Sequence, residues 1–257
     1  MRLLNVLTFK LEEFIGDQIP PYAILSHTWE TEEPTIEDVQ DLNEVRLTAL
    51  TKIQYCFKQA RLDRIDYVWL DTCCIDKRSS AELTEAINSM YSWYESANVC
   101  YAFLPDVQVP EDHLPPGDDT PESFPTNLAL ELRLSQSRWF TRGWTLQELL
   151  APKHIKFFGH NWTYFGMKTA LVSTLSRTSG IDMSVLKGNA PLYGICAARK
   201  MSWAAKRQTT RIEDEAYCLL GIFAVNMPML YGEGRRAFLR LQEHILANSV
   251  DQSLLAW

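Results

Sequence analysis

The chain has 257 residues and a formal net charge of −7, with 32 acidic against 25 basic side chains. It is long enough for one large core, and 46% hydrophobic with 22% charged residues is a globular composition, neither disordered nor fibrous. An acidic chain without a lysine/arginine stripe is unsuited to nucleic acid, which is held by counterion release onto a basic surface.

Residues 1–14 interrupt their apolar side chains with Lys10, Glu12 and Glu13, which argues against a signal peptide. No apolar run reaches bilayer length, so no membrane span is expected and the address is expected to be cytoplasmic. The cysteines Cys56, Cys73, Cys74, Cys100, Cys196 and Cys218 should then be reduced, buried and mostly unreactive. No C-x-x-C pair occurs, and adjacent Cys73 and Cys74 are expected to face opposite sides of an extended segment, so no metal site is expected.

Tyr22-Ala-Ile-Leu-Ser26 follows Pro20-Pro21 and reads as a buried strand. Leu50, Ile53, Phe57 and Ala60 recur at helical spacing and predict an amphipathic helix over 43–61. Tyr67–Asp71 reads as a second strand. Ser79 and Glu82 have the spacing of a capping box, ahead of an apolar stripe through Leu83, Ile87, Met90, Tyr91 and Tyr94. Val99–Leu104 is a third strand. A loop with Pro105, Pro110, Pro115, Pro116, Pro121 and Pro125 follows, long enough for a lid or an insertion. A short helix over Thr145–Leu150 stops at Pro152, and Ile155–Phe158 is a fourth strand. From about Trp162 the pattern is mainly helical, with strong periodicity over Arg211–Phe223 and Arg235–Ala247 and a turn at Gly232–Gly234. Strand–helix alternation predicts an α/β fold: a parallel sheet flanked by helices over residues 1–160, with a mainly helical part over 161–257. The abrupt ending at Trp257 is expected of a piece of something longer.

Parallel sheets collect ligands at the carboxyl ends of their strands. Here those ends read Ser26-His27-Thr28-Trp29, then Asp71 through Arg78, then Ser137 through Glu148, all rich in hydroxyls, charges and indoles. Trp144 and Glu148 are four residues apart and share a helical face, where an indole beside a carboxyl raises its pKa. The pair fits an aromatic wall beside a reactive carboxyl, or equally a packed tryptophan with Glu148 bound to Arg142 or Arg138. His27 fits ring binding or a loop contact better than catalysis. Ser26 fits a ribose hydroxyl or a turn cap, and Asp71 a substrate hydroxyl or the cap of its loop. Cys73 and Cys74 lack a partnered histidine and read as packing. No P-loop, nucleophile elbow or H-E-x-x-H helix occurs.

Three blocks, Tyr22–Trp29, Trp69–Lys77 and Arg142–Pro152, resemble the signature of the fungal heterokaryon incompatibility (HET) domain. Met201–Ala204, Glu213–Tyr217 and Tyr231–Gly234 resemble its C-terminal portion. That resemblance implies a role in vegetative incompatibility, the programmed death of fused, genetically different cells, as an effector within a longer protein. HET domains are in turn remotely similar to TIR domains, which have a flavodoxin-like sheet. The similarity covers about 20–160 and lacks the glycine-containing loop after the second strand. TIR domains that cleave NAD use a glutamate in a W-C-x-x-E helix, which matches Glu148 of Trp144-Thr-Leu-Gln-Glu148 with Thr145 in place of the cysteine.

The resemblance thus implies an NAD glycohydrolase. Glu148 would be catalytic, Ser26, His27, Trp29, Asp71, Arg142 and Trp144 would bind substrate, and no cofactor would be needed beyond NAD as substrate. A non-enzymatic death-signalling module, working by self-association or by assembly with incompatibility partners, is the alternative. Regulatory binding of a nucleotide without cleavage is a third.

Overall fold

The chain opens on a hairpin in which Arg2–Asn5 (β1) pairs antiparallel with Leu11–Glu13 (β2). Tyr22–His27 (β3), Tyr67–Trp69 (β4), Val99–Phe103 (β5) and Ile155–Phe158 (β6) follow, and Tyr164–Met167 (β7) ends the sheet. β3 and β5 are buried along their whole lengths. Strands covered on both faces need apolar side chains on both, which is why they read as unbroken apolar runs.

The computed structural model describes residues 1–30, 33–40, 47–109 and 128–256. Its seven strands lie in the order β2-β1-β4-β3-β5-β6-β7. The four central strands are mutually parallel, and the two flanks are antiparallel. Three flanking strands therefore add to the expected parallel sheet: β1 and β2 at one side, and β7 within the stretch that reads as helical. Among the central strands the chain order across the sheet is second, first, third, fourth. The connection leaving β3 runs to one side and the connection leaving β5 to the other, which opens a crevice between the carboxyl ends of β3 and β5.

Ile36–Gln40 (α1) and Leu47–Leu62 (α2) lie between β3 and β4. The start of the expected 43–61 helix lies outside the described residues, as does the proline-rich stretch from Pro110 through Pro125. Ile53, Cys56, Phe57 and Ala60 of α2 are buried, as their spacing predicts. Ser80–Ser96 (α3) is capped by Ser79, whose hydroxyl accepts the Glu82 N–H at 3.3 Å. Only half of the capping box forms, because the Glu82 carboxylate takes the Asp76 N–H at 2.8 Å instead. Right-handed crossovers in opposite directions across the sheet put α2 on one face and α3 on the other.

Leu128–Gln136 (α4) and Thr145–Leu150 (α5) join β5 to β6. After β7 come Val172–Ser179 (α6), Met183–Leu186 (α7), Ala197–Ala204 (α8), Asp214–Tyr217 (α9), Leu220–Phe223 (α10) and Arg236–Asn248 (α11). The single helix expected over 211–223 is two separate turns. Its apolar periodicity is real, but α9 packs on α11 while α10 packs on α3, so the axis must change direction between them. Gly221 lies so close to α3 that a Cβ there would stand 2.1 Å from the Tyr91 Cβ. Gly232 and Gly234 take φ of +103° and +61° in the turn before α11, where a Cβ would be strained.

Cys73 and Cys74 do not lie on an extended segment. They occupy the turn after β4, with the Cys74 N–H on the Leu70 carbonyl at 2.8 Å, and both are buried. Cys196, unlike the other five cysteines, is exposed. Among the described residues no helix is long and apolar enough to cross a membrane.

Candidate active site

The three strand-end segments meet around a cavity of about 300 Å³. β3 leads into His27 and Trp29, and the turn after β4 supplies Asp71, Ile75 and Lys77. α3 presents Leu83, Ile87, Met90 and Tyr94, and the segment entering α5 presents Arg142, Trp144, Thr145 and Glu148. Thr210, Arg211, Asp214 and Tyr231, all from the C-terminal helical part, complete the wall. Trp144, at the N-terminal cap of α5, and Glu148 within the helix both line the cavity.

Glu148 is only 7% exposed and makes no ion pair with Arg142 or Arg138 among the described residues. Its Oε2 accepts a hydrogen bond from the Ser26 hydroxyl. Ser26 in turn accepts the indole N–H of Trp139 at 2.8 Å. Because the indole N–H is only a donor, it fixes which way the hydroxyl points. Burial pushes the Glu148 carboxyl up to about 8; the Ser26 hydrogen bond opposes this, and the nearby Asp71 reinforces it.

Ser26 therefore stands behind Glu148 rather than on the wall, and it is fully buried. Its side chain is committed within the protein, not to a ribose hydroxyl or a turn cap. Ser26→Ala would strand the Trp139 N–H and one Glu148 oxygen in a dry place. The expected loss in urea unfolding is about 2 kcal/mol, and the Glu148 pKa should rise further as its hydrogen bond goes.

Asp71 receives the Trp29 indole N–H on Oδ2 at 2.8 Å, and its Oδ1 lies 3.3 Å from His27 Nε2. Burial disfavours its charge, but His27, Lys77 and Trp29 outweigh burial and hold the carboxyl below its ordinary value. Both oxygens go to side chains, so Asp71 ties the end of β3 to the turn after β4 instead of capping its own loop. His27 Nδ1 is buried without a hydrogen-bond partner among the described residues. Lys77 places its ammonium 3.8 Å from the centre of the Trp29 ring.

The helical part contributes a third carboxyl. Asp214 accepts the Tyr231 hydroxyl at 2.9 Å and bonds to Trp144, while burial raises its pKa. Arg207 anchors this part to α5, donating to the Arg142 carbonyl and to Thr145 Oγ1, both at 2.9 Å. The Gly143 N–H bonds the Gln208 carbonyl at 2.9 Å, an approach so close that a Cβ on Gly143 would stand 2.5 Å from Thr209 Cγ2. Six of the seven residues singled out from sequence, namely His27, Trp29, Asp71, Arg142, Trp144 and Glu148, line the cavity together. The four C-terminal lining residues were not singled out. Two of them, Asp214 and Tyr231, do sit in the blocks that resemble the family's C-terminal portion.

A doubly wound α/β sheet, a switch-point cavity and these polar blocks define the class: the chain carries a HET domain. Residues 22–116 match the family model described as heterokaryon incompatibility protein (HET). Over 231 residues the chain is 42% identical to the vegetative incompatibility protein HET-E-1 of Podospora anserina, a match covering 89% of this chain. The match spans 16% of that relative's length. No solved structure matches the chain.

Proposed function

We propose that this domain is a cell-death effector of fungal vegetative incompatibility that cleaves the nicotinamide–ribose bond of NAD. The involvement in incompatibility rests on the HET blocks and on the named relative. The chemistry rests on one observation above others: Glu148, a buried carboxyl, faces a cavity at the switch point with the Trp144 indole beside it. The remote likeness of Trp144–Glu148 to the W-C-x-x-E helix of TIR domains points the same way.

A single carboxylate suits this substrate. Ordinary glycosides need an acid to protonate the leaving oxygen. The pyridinium of NAD departs as neutral nicotinamide, so what remains is to stabilise positive charge on the ribose as the bond breaks. Ionised Glu148 does this, in a pocket where low polarity strengthens the interaction. Trp144 and Trp29 hold the aromatic ring, while His27, Asp71 and Arg142 orient the substrate. Once nicotinamide has left, a water molecule adds to the cationic ribose carbon and sheds a proton, which completes the hydrolysis.

The pH dependence follows. In the empty cavity Glu148 is mostly neutral at pH 7, since its pKa is about 8. A cationic nicotinamide ring favours the ionised form and lowers that value in the complex. The expected kcat/KM rises about tenfold per pH unit below 8 and levels above it, and the limb of kcat lies at lower pH. Nicotinamide release by the purified domain, followed by chromatography from pH 6 to 9, tests both. Release no faster than a matched blank, under assembly-promoting conditions as well, sinks the enzyme reading.

A further inference from the structure

Lys77, Arg142 and Arg211 line one cavity in a chain whose net charge is −7. None has a carboxylate within 4.0 Å among the described residues. Elsewhere the arginines Arg78, Arg199 and Arg240 each hold a carboxylate at 2.8 Å or less. The cavity does contain carboxyls, yet each is engaged by neutral donors or by histidine: Asp71 by Trp29 and His27, Glu148 by Ser26, Asp214 by Tyr231 and Trp144.

The three cations are positioned by other means. Lys77 sits over the Trp29 ring at 3.8 Å, and the Arg211 guanidinium over the Tyr231 ring at 4.4 Å. Arg142 reaches Thr210 Oγ1 through both terminal nitrogens, at a long 3.3 Å each. An aromatic face orients a cation without using its N–H donors, which stay free at its edge. Burial disfavours charge on Glu148 and Asp214, and also on Lys77, where the Asp71 carboxylate counters it. The wall thus brings three cations together inside an acidic protein, with two guanidinium forks and one ammonium to offer.

We propose that Lys77, Arg142 and Arg211 form a subsite for the diphosphate bridge of a dinucleotide. Two guanidinium groups suit two phosphates, since each fork takes a phosphate through paired N–H donors. This deepens the reading of the cavity as an NAD site and rests on it.

Calorimetry on the full chain separates the two ideas. ADP-ribose carries the diphosphate and lacks the scissile bond, nicotinamide riboside carries that bond without the diphosphate, and inorganic pyrophosphate is the bare anion. Arg211→Gln and Lys77→Gln should each weaken ADP-ribose binding by about tenfold or more, as loss of a charge-assisted hydrogen bond implies. Arg211→Lys should fall between Arg211→Gln and wild type, and nicotinamide riboside should bind all variants alike. Absence of ADP-ribose binding to wild type, indifference of that binding to both variants, or an equal loss for nicotinamide riboside would each overturn the subsite. So would tight pyrophosphate binding without ADP-ribose binding, which would mark a site for free anions. Binding of ADP-ribose with the expected losses but no nicotinamide release would support the subsite and overturn cleavage.

Discussion

Glu148→Gln should remove nicotinamide release, by roughly a thousandfold, the scale of losing one electrostatic group in a preorganised site. It should also leave the domain more stable at alkaline pH. Glutamine keeps the shape of the side chain and can still accept the Ser26 hydroxyl, so the Trp139–Ser26 arrangement survives. What it loses is the charge. The folded-state pKa of Glu148, about 8, lies above its ordinary value of 4.5. In the window between them the native state holds a proton that the unfolded chain has lost, so stability falls as pH rises. Wild type therefore carries a growing penalty from about pH 4.5 that is complete above pH 8. The shift corresponds to about 5 kcal/mol. The new amide N–H donors need partners and offset part of the gain, leaving Glu148→Gln about 2 kcal/mol more stable near pH 8 and no better than wild type at pH 5. Urea melts at the two pH values check the sign. A Gln variant less stable than wild type at pH 8 would mean that Glu148 is charged and paired in the native protein.

The largest loss of stability is expected from Gly221→Ala. Alanine suits a helix better than glycine does, so local propensity alone favours the change by about 1 kcal/mol. Packing reverses it. The added methyl would overlap the Tyr91 Cβ at 2.1 Å, where α10 meets α3. Because the obstructing atom is a β-carbon, no rotamer of Tyr91 relieves the overlap and the two helices must separate. Overpacking of this kind costs about 3 kcal/mol, or roughly 6–12 °C in Tm for a domain of this size. Truncating the ring with Tyr91→Ala should not rescue the variant, since the β-carbon remains. Rescue by that truncation would show that ring packing, not helix approach, sets the constraint.

The centre of this fold is legible in the sequence because fully covered strands must be apolar without interruption. Tyr22–Ser26, Val99–Leu104 and Ile155–Phe158 announce themselves for that reason, and Thr145–Leu150 is bounded by Pro152 and by the change of pattern. The edges are not legible. β1, β2 and β7 have three or four residues each, too short to show a pattern. The site follows the same division. Residues at the carboxyl ends of parallel strands are forced towards one crevice by topology, so His27, Trp29, Asp71, Arg142, Trp144 and Glu148 could be named in advance. Nothing comparable directs Thr210, Arg211, Asp214 and Tyr231, which reach the cavity through the docking of helices far away in the chain. The carboxylate and aromatic density of Glu213–Tyr217 and Tyr231–Gly234 is the one signal that marks that region. A strand's last residues read as a rim, in which Ser26 fits a ligand or a turn, whereas its hydroxyl is used within the protein.

The Trp139–Ser26–Glu148 chain has a polarity that runs one way. The indole can only give, so the serine must give onward, and Oε2 of the glutamic acid can only receive. When Glu148 is neutral its own proton is therefore left to Oε1, and the carboxyl acts as a donor. When it ionises, that same oxygen becomes an acceptor while Oε2 keeps its serine. One side chain thus presents opposite hydrogen-bonding character according to its own charge: neutral it gives, and ionised it receives.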